Sequence, residues 1–321
     1  MTTLGKLLRP IFGVSRKAAT SFHEGDNQAA QRLETVIVTV TRGCHATFQY
    51  SNVDTLVTHL KAVDPELRGF AYEGVGTGLT ALDCILPWKN RTKTFLDGPG
   101  APYIYAVHIG AGLALARMRR RPERFLTRLD PILGWMAIDG YGFHEGFFAR
   151  HRFITQQQIP RHLSPYGQQV FDQGLGRAIW FLSSANIDRV IATMRTFSSH
   201  RHADLWSGIG LACGYTGGVD HTAIKTLWQA AAAYQSHLAV GTAIAANARH
   251  RAGSPAPYAE LASTILCGSS SEVASRKVDV ALQNLPLNGA EPAYAVWRQR
   301  LVTQFASSID TSISESAISE E

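Results

Sequence analysis

Five Gly-x-Gly pairs recur along this chain at nearly constant spacing: Gly76/Gly78, Gly110/Gly112, Gly140/Gly142, Gly174/Gly176 and Gly208/Gly210. Their first glycines are 34, 30, 34 and 34 residues apart, and a degenerate copy begins at Gly241. A period of this size is the signature of stacked helical hairpins, because one such unit buries its apolar face only against its neighbours. Helical runs follow each pair, for example GLTALDCIL and GRAIWFLSS, so the pairs are expected to open helices. The expected fold is mainly α: an array of about five to seven helical hairpins, an α/α toroid or solenoid with a period near 34 residues.

The glycines themselves are not nucleotide loops. Gly140–Gly146 and Gly208–Gly214 read Gly-x-Gly-x-x-x-Gly, one residue too long for the dinucleotide fingerprint, and neither sits in a strand–turn–helix unit. A Gly-Lys-Ser/Thr ending is missing, which excludes a P-loop, and no Gly-x-Ser-x-Gly elbow supports a serine nucleophile. The pairs are architecture first.

Composition narrows the function classes. Of the 321 residues 45% are hydrophobic and only 17% charged, below the roughly 25% of an average globular domain. The net charge of +6 gathers partly in Arg117, Arg119, Arg120, Arg121 and Arg124, without an aromatic-rich basic motif, so no nucleic-acid partner is expected. Cys44, Cys84, Cys213 and Cys267 lie far apart with no Cys-x-x-Cys pair; the last three sit in apolar surroundings and are expected buried and reduced. Twelve histidines include His200, His202 and His221 near Asp204, but no compact ligand set, so no metal and no cofactor are expected. Thr226–Ala248 is uncharged yet carries Gln229, Gln235, His237 and Asn247, which points to buried helices and no transmembrane segment. With no secretory signal at the N-terminus, a cytoplasmic location is expected.

Along the chain, residues 1–27 read as a tethering segment anchored by Phe12, with His23–Asn27 supplying a helix start. Residues 28–305 read as one helical-repeat domain, and residues 306–321 as a disordered acidic tail. The stretch VIVTVTRG has the β-branched content of a strand. Asn52 or Asp54, Asn186 and Asp188, and Asp220 are expected helix caps.

Polar residues crowd the glycine pairs: Glu73, His108, Asp139, Asp172 and Asp204. They cap helices, or stacked repeats bring them to a common cavity. The densest segment, Ile138–Phe153, adds Tyr141, His144 and Glu145 among Phe143, Phe147 and Phe148. A His beside a Glu in aromatic surroundings suits either acid/base chemistry or a satisfied core histidine. Asp139, His144, Glu145, Asp172 and Asp204 are the candidate catalytic residues. Glu73, His108, Tyr141, Phe143, Phe147, Trp180, Trp206 and Tyr215 are candidate substrate-binding residues.

The segments YEGVGTGLTALD, FLDGPGAPYIYAVHIGAGLALAR, LDPILGWMAIDGYGFHEGFF, VFDQGLGRAIWF and DLWSGIGLACGY together resemble the bacterial domain-of-unknown-function family 1702. The resemblance runs from Arg9 to Ala274. It implies a setting in bacterial secondary metabolism, beside enediyne polyketide synthases, with a long unsaturated acyl or polyene ligand. The expectation is an enzyme that isomerises or cyclises a linear unsaturated hydrophobic substrate by acid/base chemistry, with other biosynthetic enzymes as partners. The alternative is a non-catalytic helical-repeat scaffold that carries a polyene or docks pathway proteins.

Overall fold

In the computed structural model residues 3–14 and 28–318 are described. The expected helix start at His23–Asn27 lies outside them, as do residues 319–321. The chain is mainly helical, with no strand among the described residues. The first helix, α1, spans Thr3–Ile11, and Phe12 after it is buried against Phe48, so the N-terminal segment is anchored as expected. VIVTVTRG is not a strand: it lies inside α2, Gln28–Gln49, where neighbouring helices bury its β-branched side chains and override their strand preference. The remaining helices are α3 (Val53–Lys61), α4 (Pro65–Ile85), α5 (Arg91–Leu96), α6 (Ile104–Arg117), α7 (Met136–Phe148) and α8 (Pro165–Leu182). They continue as α9 (Ile187–Thr196), α10 (His202–Thr216), α11 (His221–Ala231), α12 (Gln235–Arg251), α13 (Pro257–Leu266), α14 (Ser271–Ala281) and α15 (Ala293–Ile318). The last runs on into the tail that polar composition had marked as disordered.

Local chemistry sets many of the helix starts. Asn52, Asn186 and Asp220 each accept a backbone N–H of their own first turn, as expected of caps. Asp64 and Ser164 do the same ahead of Pro65 and Pro165, prolines in the first turn where no N–H is needed.

The glycine pairs do not open helices. They lie inside α4, α6, α7, α8 and α10, and they are where consecutive helices cross. A Cβ on Gly110, Gly140, Gly174, Gly208 or Gly241 would fall on the carbonyl oxygen of Glu73, Ile109, Asp139, Gln173 or Ser207 of the preceding helix. A Cβ on Gly76, Gly112, Gly142, Gly176 or Gly210 would fall on the carbonyl of Val107, Ala137, Phe171, Leu205 or Leu238 of the following one. The same two contacts join α2 to α4, where Gly74 meets Val40 and Gly43 meets Ala71. Positions two apart on a helix are turned by about 200°, so one pair serves two opposite neighbours. That offset also corrects the first pair: the working glycines of α4 are Gly74 and Gly76, while Gly78 packs on Thr47.

α2, α4, α6, α7, α8, α10 and α12 thus pack in sequence, and further contacts run across the series, from α2 to α10 and from α4 and α6 to α12. Arg32 of α2 hydrogen-bonds the Thr216 carbonyl at the end of α10, Tyr105 of α6 donates to Asn247 of α12 at 2.8 Å, and Arg249 of α12 donates to the Tyr215 and Glu66 carbonyls. Cys44, Cys213 and Cys267 are buried free thiols and Cys84 is half-buried. No described helix is long and apolar enough to cross a membrane.

The crossing geometry makes a sharp prediction. Gly174→Ala puts a methyl group on backbone that has no room to move, and is expected to cost about 3 kcal/mol or to prevent folding. Gly98→Ala meets its nearest atom at 3.6 Å, in ordinary contact, and is expected to stay within about 1 kcal/mol of the parent chain. Urea denaturation of the two variants checks the difference.

Candidate functional site

Five helices each contribute one stripe of side chains to a single apolar cavity. From α2 come Val36, Ile37, Val40, Thr41 and Cys44; from α4 come Phe70, Glu73 and Thr77. Leu113 and Arg117 of α6, Phe143, His144, Phe147 and Phe148 of α7, and Arg177 and Phe181 of α8 complete the wall, with Phe12, Gly13 and Val14 lying across it. The spacing within each stripe is that of one helix face. Room for the centres of water-sized spheres extends over about 90 Å³. At roughly 10–15 Å³ per water, that suits a slender chain better than a bulky ring system.

Charge in this apolar space is concentrated in one buried group. Asp139 is fully buried and accepts from Arg177 at 2.5 Å and from Gln173 at 2.8 Å. Arg177 also lies over the Phe143 ring, 4.9 Å from its centroid. Glu73, 4% exposed, faces the same guanidinium from α4. Burial pushes its carboxyl up to about 7, an effect that Arg177 opposes and Asp139 reinforces. An acid with its proton held near neutrality therefore sits in an aromatic cavity. His144 lines the same space; its Nδ1 is 3.3 Å from Glu145 Oε1, and its Nε2 is buried with no partner among the described residues. An ionised Glu145 only accepts, so in the neutral imidazole Nδ1 carries the proton and Nε2 keeps a free lone pair.

Of the expected catalytic residues the structure brings only His144 to the cavity wall, with Asp139 and Glu145 one layer behind. Asp172 belongs elsewhere: its carboxylate takes Arg201 in a fork at 2.5 and 2.7 Å, with both residues 4% exposed. Asp204 pairs with Arg298 at 2.8 Å, also away from the cavity. Neither carboxylate caps a helix nor lines the cavity: each neutralises an arginine from a later segment, the third outcome that the capping and cavity alternatives left out. His108 is a satisfied core histidine. Its Nδ1 donates to the Ile104 carbonyl, so its Nε2 accepts the Asp130 N–H at 3.3 Å, and burial pushes its pKa down to about 4. Tyr141 packs on Phe171 and His162 outside the cavity. Trp180 and Trp206 are core residues, and Tyr215 lines a smaller inner space that shares Phe70, Arg177 and Phe181 with the main one. Glu73, Phe143 and Phe147 line the cavity.

Sequence reasoning missed Arg177 and Arg117. The signal for Arg177 was present: it follows Gly176 directly and stands 38 residues after Asp139, close to one period. Among the described residues no three His, Cys, Asp or Glu side chains gather as a metal site. His200 and His202 instead bond Ser198 and the Phe197 carbonyl.

Two stability effects separate these acids. The folded chain holds the Glu73 proton up to about pH 7, whereas the unfolded carboxyl releases it near 4.5. Stability therefore falls as pH rises between those values, by about 3 kcal/mol in all. Glu73→Gln is expected to remove that slope, read as the melting temperature of variant and parent across the window. Asp172→Asn leaves Arg201 buried and unpaired, and is expected to cost about 3–5 kcal/mol at neutral pH in the same assay.

No curated protein and no solved structure matches the chain. The family described as "Protein of unknown function (DUF1702)" matches residues 4–305, which spans every helix that builds the cavity, and the chain belongs to that family.

Proposed function

We propose that this protein is a natural-product biosynthetic enzyme that isomerises or cyclises a linear unsaturated hydrophobic substrate by acid/base chemistry. The observation that carries the reading is a carboxyl with its pKa raised to about 7 inside an apolar, phenylalanine-walled cavity. Glu73 in its protonated form delivers a proton to an alkene carbon, and the cation that forms is stabilised by the faces of Phe143, Phe147 and Phe181. His144 Nε2 then takes a proton from a neighbouring carbon, so that one proton enters, one leaves and the double bond moves. Capture of the same cation by a second double bond gives a ring. Arg177, held by Asp139, opposes complete loss of acidity at Glu73, because its charge favours the carboxylate.

Contacts across the helical series, of α10 with α2 and of α12 with α4 and α6, support a toroid-like reading of the array. Phe143, Phe147 and Phe181 in the wall limit the water that can reach a carbocation.

The test is incubation with a linear conjugated polyene in deuterium oxide, followed by mass spectrometry of recovered material. Deuterium incorporation and an isomerised or cyclised product are expected with the parent chain, falling at least about 100-fold in Glu73→Gln and in His144→Ala. The rate is expected to decline as pH rises through about 7, where Glu73 loses its proton. Tight polyene binding without any exchange would overturn the enzymatic reading in favour of a carrier.

A further inference from the structure

Apart from the charges already assigned, the described cavity wall holds one more cation, Arg117, at its exposed end. Arg117 ends α6 and is exposed. Its Nε donates to the Ile11 carbonyl at 2.9 Å, which fixes the guanidinium beside the N-terminal segment that lies across the opening. The guanidinium carbon is 5.6 Å from the centroid of Phe148, whose ring is 42% exposed at the same place. Arg177 is neutralised by Asp139, but no described carboxylate pairs with Arg117. Among the described residues its two terminal nitrogens have no acidic partner, which leaves a planar fork suited to a carboxylate or phosphate.

Depth follows from the helix itself. Gly110 crosses α4 at Glu73, and Arg117 is seven residues further along α6. At 1.5 Å per residue the fork stands roughly 10 Å from the level of Glu73. Leu113, Phe143 and Phe147 line the same cavity, and among the described residues its wall holds no other unpaired cation.

We infer that the ligand of this cavity is a linear amphiphile with an anionic head, its carboxylate or phosphate held by Arg117 at the mouth while its unsaturated tail runs inward past Phe147 to Glu73. The inference rests on the cavity being the binding site and adds the head group, the direction of entry and the distance from the head at which chemistry takes place.

The experiment is equilibrium binding of parinaric acid, a straight-chain conjugated tetraene fatty acid that fluoresces on entering an apolar site, compared with its methyl ester. At a pH well above the carboxylate range the parent chain is expected to bind the acid about tenfold or more tightly than the ester. Arg117→Gln should abolish that preference while keeping the ester affinity within about twofold, which also reports an intact cavity. Arg117→Lys, which keeps the charge and loses the fork, should retain part of the preference. Hexadecyl phosphate as a competitor distinguishes a phosphate head from a carboxylate by its relative potency. Equal affinity of the parent chain for acid and ester overturns the inference, as does a failure to bind either. Preference for the acid without deuterium exchange would leave the ligand assignment standing while the acid/base reading fails.

Discussion

The interaction on which the rest of this structure depends is the contact of a glycine Cα with a backbone carbonyl of the neighbouring helix. It recurs with the same offsets from the α2–α4 crossing to the α10–α12 crossing. Every such interface uses the carbonyl just before the first glycine position of one helix and the carbonyl three residues before that of the next. Backbones this close leave no layer of side chains between them, and weak Cα–H···O contacts replace part of the usual interdigitation. A helix pressed between two neighbours needs a bare backbone on two opposite sides, which positions two apart supply.

Close crossings also explain the polar arrangement. Residues flanking the glycines are carried deep into the molecule whatever their polarity, so a charge there needs a partner. Asp139, Asp172 and Asp204 meet Arg177, Arg201 and Arg298 for that reason. Glu73 is the exception in this set: its neighbouring guanidinium is already engaged by Asp139, and it keeps its proton instead. An acid of that kind in one cavity with His144, whose Nε2 has no partner among the described residues, is what distinguishes the cavity from the other buried polar clusters.

Much of the architecture was legible in the chain. The mainly helical class and the caps at Asn52, Asn186 and Asp220 followed from apolar spacing and local hydrogen-bonding chemistry. Phe143, Phe147, Glu73 and His144 were rightly gathered as cavity residues. Other readings went astray for reasons of scale. Glycine before an apolar run looks the same whether it opens a helix or thins its middle, since both uses exploit the missing Cβ. VIVTVTRG carried a strand's composition because β-branched side chains suit any crowded interface. Asp172 and Asp204 resembled Asp139 in sequence position, and only the place of their arginines tells them apart.

By itself, then, the sequence determined a mainly helical chain in which Gly-x-Gly pairs recur every 30 to 34 residues; that these pairs lie inside the helices and carry their crossings was decided by the tertiary structure, because a missing Cβ serves a helix start and a close approach equally well. The tertiary structure decided which carboxyl burial holds protonated, which arginines line the cavity and which histidine nitrogens lack a partner among the described residues. Those properties depend on groups that lie one or more helices apart in the chain, and on the low dielectric that burial alone creates.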